Sequence, residues 1–282
     1  MSRKLLCIPN KFNNYNAVLE EMENDFQYRF SDRQRFTAFG RPLYERINLQ
    51  MVITQACPFK CSFCLERQNP QGAINNFNEQ IKSLKKILTE HPNARVSITG
   101  GEPLLYPDHI RNIISLVKNT ATFISLNTTG KLFIPQDIKE QCHLNISDNS
   151  EIHSDLSPFE NDNNVTIQTI FSSENMTLKN IKNYMDTHPN HKNFSFRYLT
   201  TIGENDYNVN ILNEIRDNSE IDLHTFRIGD FFMYITAGYK NQHFRITLGD
   251  MTLQQNREYK NTYSNLIINA EGKIQKNWNN NK

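Results

Sequence analysis

Apolar and polar residues alternate through RINLQMVI, residues 46–53, which puts Ile47, Leu49, Met51 and Ile53 on one face. A period of two predicts a half-buried strand. The period then changes. In NEQIKSLKKILTEHP, residues 78–92, Ile81, Leu84, Ile87 and Leu88 share one helical face and Pro92 closes it. ARVSIT, residues 94–99, reads as a strand ended by paired glycines. PDHIRNIISLVKN, residues 107–119, carries Ile110, Ile113, Ile114 and Val117 at helical spacing behind Pro107. Further strands are predicted at ATFISLNTTG, CHLNISD, VTIQTIFS and FSFRYLT, with helices around 135–141, 174–187 and 207–217. Strand and helix thus alternate through six units, which predicts parallel strands joined by helical crossovers. The periodicity is compatible with an open doubly wound sheet or with part of a (β/α) barrel.

Beyond residue 220 the alternation gives way to DFFMYITAG, HFRITLG and NLIINAEGKIQKNW, short strands with NAEGK as a hairpin turn. Three segments follow: an N-terminal extension over 1–45, polar and helical in pattern; a core over 46–220; and a β-rich extension over 221–282. All three are expected to pack as one structural domain. With 31 Lys and Arg against 30 Asp and Glu, the chain has no bulk electrostatic reason to bind nucleic acid. No apolar run approaches the length of a membrane span, and the apolar run after the basic start is too short for a signal peptide. Five cysteines, an odd number with three clustered, fit a reducing compartment better than a disulfide framework. The expected location is cytoplasmic.

The cluster lies in TQACPFKCSFCLERQ, residues 54–68, where Cys57, Cys61 and Cys64 follow the first strand. That strand delivers the loop to the carboxyl end of the sheet, where α/β folds place their sites. Zinc commonly takes a fourth Cys or His, and neither Cys142 nor His91 has that spacing. A [4Fe–4S] cluster held by three thiolates instead keeps one iron open for a small molecule.

The Cys57-x3-Cys61-x2-Cys64 spacing, with Phe63 before the last cysteine, resembles the cluster motif of the radical S-adenosylmethionine (radical SAM) superfamily. SITGGEPLLYP, residues 97–107, resembles that superfamily's Gly-Gly-Glu-Pro motif at the end of its second strand. The resemblance implies a partial (β/α)6 TIM barrel, one [4Fe–4S] cluster, S-adenosylmethionine and a reductant such as flavodoxin or ferredoxin. It further implies reductive cleavage of S-adenosylmethionine to methionine and a 5′-deoxyadenosyl radical that abstracts a substrate hydrogen.

Residue by residue, the resemblance assigns Cys57, Cys61 and Cys64 to the cluster, Phe63 to the adenine, and Gly100, Gly101 and Glu102 to the methionine ammonium. Asn127, Thr128 and Ser147 match ligand-contacting places in relatives. Gln168 and Arg197, mid-strand in the fifth and sixth units, are either ligand contacts or satisfied core groups, with Arg197 a partner for the methionine carboxylate. The pattern is nearest the GTP cyclase of molybdenum-cofactor synthesis and the peptide maturases. It departs from them in having no cysteine after Cys142 for an auxiliary cluster, and in lacking the cyclase's triphosphate-gripping Arg-x-Arg. The expected substrate is a small polar metabolite of nucleoside, sugar or amino-acid type, or a natural-product intermediate. The alternatives are a peptide and, less favoured, a cluster-binding relative without turnover. Cys142 is expected at the amino end of its strand, away from the chemistry.

Overall fold

The alternating runs become strands and the striped runs become helices in the order the pattern predicts. The structure, a computed structural model, describes residues 47–64, 75–121, 123–172, 175–198, 210–228, 233–248 and 265–275. The N-terminal extension expected over 1–45, with Cys7, lies outside them.

The chain divides into two compact units. The described residues of the first are those within 47–158, 164–166 and the hairpin 265–275; the second takes in those within 159–163 and 167–248. The division passes through a strand of the expected core.

In the first unit, β1 (Asn48–Val52), β2 (Arg95–Thr99), β3 (Phe123–Thr128) and β4 (His143–Ser147) pair in parallel, each with the next. Between them run α1 (Phe77–Glu90), α2 (Pro107–Val117) and α3 (Gln136–Gln141). Leu49, Met51, Val96, Ile98, Leu126, Leu144 and Ile146 point to one side and are buried, as are Leu84 and Ile87 of α1 and Ile110, Ile113 and Ile114 of α2. Sealing these apolar side chains from water is the main stabilising term of such a layer.

The alternate residues form a different face. Asn127 Nδ2 donates to Ser97 Oγ at 2.8 Å, Asn145 Nδ2 donates to Asn127 Oδ1 at 3.0 Å, and the Ser125 and Ser97 hydroxyls lie 3.1 Å apart. Parallel sheets usually carry apolar residues on both faces. This one carries a polar ladder across β2, β3 and β4.

The NAEGK hairpin joins β10 (Asn265–Ile268) to β11 (Ile274–Gln275), and β10 adds to β1 in parallel. Gly272 has φ +86°, and a Cβ there would stand 2.6 Å from Glu79 of α1, so the turn requires glycine. Gln80 of α1 ties the hairpin down, its Nε2 donating to the Ala270 carbonyl at 2.8 Å and to that of Ile53 at 3.2 Å.

In the second unit β5 (Val165–Phe171), from Ile167 on, pairs in parallel with β6 (Asn193–Tyr198). The order continues through β9 (Gln242–Leu248), β8 (Met233–Tyr239) and β7 (Ile221–Ile228), the last two pairings antiparallel. α4 (Leu178–Thr187) and α5 (Asn210–Asp217) complete the unit. Strand β7 is an addition to the sequence reading. Its pairing slips between Leu223 and Thr225, and that irregularity breaks the period of two by which a strand is recognised.

The expected α/β class, parallel strands with helical crossovers as in a partial (β/α) barrel, is thus observed. Among the described residues no helix is long and apolar enough to cross a membrane.

Candidate active site

The three cysteines follow directly from β1. Ile53 N still donates to the Thr99 carbonyl at 2.9 Å, and beyond it the chain leaves the sheet. The Thr54 hydroxyl accepts from Ala56 N at 2.9 Å, and Cys64 N donates to the Cys61 carbonyl at 3.2 Å. Cys61 is buried, Cys64 half-buried and Cys57 on the surface.

The paired glycines at the end of β2 fit against this loop. Gly101 N donates to the Thr54 carbonyl at 2.7 Å, and Glu102 N to that of Ala56 at 2.8 Å. A Cβ on Gly100, whose φ is +141°, would lie 2.4 Å from Thr54 O; one on Gly101 would lie 2.1 Å from Ala56 O. Glycine is therefore required here because two backbones touch.

Glu102 is fully buried. One carboxylate oxygen accepts from Leu104 N at 3.1 Å and the Thr128 hydroxyl at 2.7 Å; the other accepts from Thr129 N at 2.9 Å and the Thr129 hydroxyl at 2.8 Å. A carboxylate has about four acceptor sites, and protein donors fill them. The side chain thus locks the end of β3 to the end of β2. Thr128 belongs to this lock, whereas Asn127 belongs to the polar ladder. Just past β3, Lys131 Nζ sits 5.6 Å from the centre of the Phe59 ring, a second tie onto the cysteine loop.

The loop after β4 joins the same end. The Ser154 hydroxyl donates to the carbonyls of Ser147 at 2.9 Å and Thr129 at 2.6 Å. Glu151 reaches back to the cysteine loop, accepting from Ser62 N at 2.7 Å and from the Ser62 hydroxyl. Phe63 is half-buried in that loop. Gln168 and Arg197 lie on β5 and β6 in the second unit, half-buried and exposed respectively.

Desolvation holds the Cys57 thiol above its ordinary range, and the charges of Glu102 and Cys64 push the same way. Desolvation also raises Cys61, reinforced by Cys64, Glu151 and Cys57. Two thiols held above their ordinary range, those of Cys57 and Cys61, suit a strongly cationic ligand, because metal binding demands and compensates the thiolate form. Among the described residues no three Cys, His, Asp or Glu side chains converge on one ion. Three thiols in eight residues of one loop are a donor set that fits a cluster, whose cubane binds each thiolate to a separate iron.

The sequence profile described as "Radical SAM superfamily" matches residues 51–212, more than half of the chain and all of the site just described. The chain belongs to the radical SAM superfamily. Members of this superfamily are enzymes that use a [4Fe–4S] cluster and S-adenosylmethionine. Curated relatives include a GTP 3′,8-cyclase of Shewanella denitrificans, 37% identical over 32% of this chain and 26% of that protein. Another, from Klebsiella pneumoniae, is 28% identical over 36% of this chain and 31% of that protein. The match therefore spans about a third or less of these relatives' length. A solved structure of Streptococcus suis SuiB bound to S-adenosylmethionine covers 94% of this chain and 66% of that one, with TM-score 0.50 and 14% identity. At that identity the likeness is one of fold.

For this radical SAM chain, the structure gathers Cys57, Cys61, Cys64, Gly100, Gly101, Glu102, Thr128 and Ser147 at one end of the first unit. Ser62, Thr129, Glu151 and Ser154 stand beside them and were not foreseen. Thr129 adjoins Thr128 in the chain, a signal within reach, but nothing local marks Glu151. Cys142 sits just before β4, 1% exposed, and burial pushes its thiol up to about 12. It cannot supply a thiolate near neutral pH.

Proposed function

We propose that this chain cleaves S-adenosylmethionine reductively and abstracts hydrogen from a small polar metabolite, with Cys57, Cys61 and Cys64 as the cluster ligands. The carrying observation is the three-thiol loop clamped by Gly100, Gly101 and Glu102 at the strand ends. When bound, the reduced cluster supplies the electron that breaks a sulfur–carbon bond and frees a hydrogen-abstracting radical.

The chain's own residues hold and shield. Backbone contact at Gly100 and Gly101 fixes where the loop leaves β1, and Glu102 fixes the Thr128–Thr129 turn. Rigid placement of this kind is what cofactor enzymes contribute to chemistry that the cofactor performs. In this reading Phe63, Gly100, Gly101, Glu102, Asn127, Thr128 and Ser147 surround S-adenosylmethionine, Glu102 by holding the turn. Gln168 and Arg197 belong to that set by resemblance.

Support for a polar substrate comes from the Ser97–Asn127–Asn145 ladder, which offers amide and hydroxyl groups where a parallel sheet would ordinarily be apolar. These are neutral hydrogen-bonding groups, suited to a sugar, nucleoside or amino-acid-like molecule. The reductant is a one-electron donor of the flavodoxin or ferredoxin kind.

The test is anaerobic reconstitution with iron and sulfide, followed by dithionite and S-adenosylmethionine. The expected result is about four irons per chain and release of methionine and 5′-deoxyadenosine. Cys61→Ala should abolish that release; retention of it would overturn the ligand assignment.

A further inference from the structure

The segment between Cys61 and Cys64 is held by a residue from a distant part of the chain. Glu151 takes both the backbone N–H of Ser62, at 2.7 Å, and its hydroxyl. Glu151 is itself built into a fixed turn. Asn149 Oδ1 accepts from Glu151 N at 3.0 Å and Ile152 N at 2.9 Å, and Asn149 and Ile152 exchange backbone hydrogen bonds of 2.9 and 3.1 Å. Asp148 Oδ1 accepts from Ser154 N at 3.0 Å, and Ser154 in turn holds Thr129. Thr129 holds Glu102, and the Glu102 backbone holds Ala56 at the start of the cysteine loop.

The contacts close a ring. It runs from the cysteine loop through the ends of β2, β3 and β4 and returns through Glu151 to Ser62. Both Ser62 and Glu151 are exposed, and exposed charged contacts contribute little to global stability. A role in holding the fold together is therefore the weaker explanation of the contact. Its position is the stronger clue, because the carboxylate grips the residue between two cysteines of the motif.

We propose that Glu151 is a positioning residue for the cysteine loop, and that its fixed negative charge beside Cys61 lowers the reduction potential of the cluster the loop holds. The proposal rests on the cluster reading above. Two effects act in one direction. An anion next to the cluster disfavours the added electron. In addition, by capturing the Ser62 N–H and hydroxyl, Glu151 withholds donors that would otherwise stabilise the more negative reduced state. Net charge and hydrogen bonding to the sulfurs are the protein's main controls on such potentials. A low potential suits a cluster whose task is to push an electron onto a sulfonium.

Two substitutions separate charge from grip. Glu151→Gln keeps an oxygen that accepts from Ser62 and removes the charge; Glu151→Ala removes both. Wild type and variants are reconstituted anaerobically, matched for iron content and titrated by EPR-monitored reduction. Glu151→Gln should shift the reduction equilibrium about tenfold toward the reduced cluster, about 59 mV for a one-electron couple. Glu151→Ala should shift it at least as far, and amide hydrogen exchange at Ser62 should accelerate roughly tenfold in this variant while staying near wild type in Glu151→Gln. An unchanged potential in Glu151→Gln overturns the tuning role, and unchanged exchange in Glu151→Ala overturns the positioning role. Wild-type protein that holds no reducible cluster would refute the cluster reading itself, and that result appears before any variant is compared.

Discussion

Replacing Glu102 by Gln changes one atom in a fully buried site, and the consequence follows from its four donors. Each carboxylate oxygen accepts one backbone N–H and one threonine hydroxyl: Leu104 N with Thr128, and Thr129 N with Thr129 Oγ1. The glutamine amide keeps one acceptor and turns the other oxygen into a donor. A threonine hydroxyl can rotate and accept from that new NH2, but a backbone N–H cannot. Whichever way the amide is turned, one buried N–H points at another donor. An unmet buried donor costs about 1–3 kcal/mol, and weakening the remaining bonds from charged to neutral adds roughly 1 kcal/mol. Cluster-free Glu102→Gln should therefore be about 2–4 kcal/mol less stable than wild type, a fall in urea midpoint of about 1–2 M at the usual dependence on denaturant. Glu102→Ala strands both N–H groups and should lose roughly 3–5 kcal/mol. The measurement is urea unfolding of cluster-free protein followed by circular dichroism. Weakened S-adenosylmethionine binding with an unshifted midpoint would refute the argument, since it would mean that Glu102 serves the ligand and not the turn.

Gly101→Ala places a Cβ 2.1 Å from the Ala56 carbonyl oxygen, so the cysteine loop must move. Iron bound after reconstitution should fall several-fold, and normal iron content would contradict the close-contact explanation. His109 makes stability depend on pH: burial lowers it from 6.5 to about 4. Gln80 donates its amide nitrogen to two carbonyls, which leaves its oxygen to accept from His109 Nε2–H at 2.8 Å and keeps the ring neutral. The unfolded chain binds the proton first, so this contribution is complete above about pH 6.5 and is lost progressively as pH falls toward 4, by at most about 3 kcal/mol. Denaturation at pH 7 and pH 5 should show the loss in wild type and a smaller one in His109→Gln; equal slopes would refute it.

Local pattern carried most of the fold. Strands β1 to β6 and their helices arise from side chains that repeat every two or every 3.6 residues, and the NAEGK turn forms the expected hairpin because Gly272 accepts a positive φ. What the pattern could not reveal was non-local or irregular. Strand β7 slips register at Leu223, so its alternation reads as noise. Nothing in NLIINAEGKIQ marks it as the parallel neighbour of β1, more than two hundred residues earlier in the chain. Gln80, buried at the start of α1, supports that pairing from a distance in the chain by donating to the Ala270 carbonyl in the turn.

The candidate site divides in the same way, and the division explains what its motif residues do. The cysteine spacing and the Gly-Gly-Glu run are legible because each is a continuous stretch whose chemistry depends on neighbours in sequence. Their physical reasons were not. The sequence reading assigned the glycines to a ligand, yet in the structure each is also excluded from bearing a side chain by the backbone of Thr54 or Ala56. Glu102 was read as an open acceptor, and its oxygens are filled by Leu104, Thr128 and Thr129. Each reading treated a residue as facing outward when its first partner is another strand end. The remaining link, Ser62 to Glu151, spans 89 residues and joins two surface polar side chains of the commonest kind, so no local signal distinguishes it. Yet without it the ring of contacts among the described residues would stop at β4 and would not return to the segment between Cys61 and Cys64. If the loop holds a cluster as proposed, it must keep three thiols at fixed separations and cannot rely on the strand before it alone. It needs support from the far side, and Glu151 is the residue placed to give it.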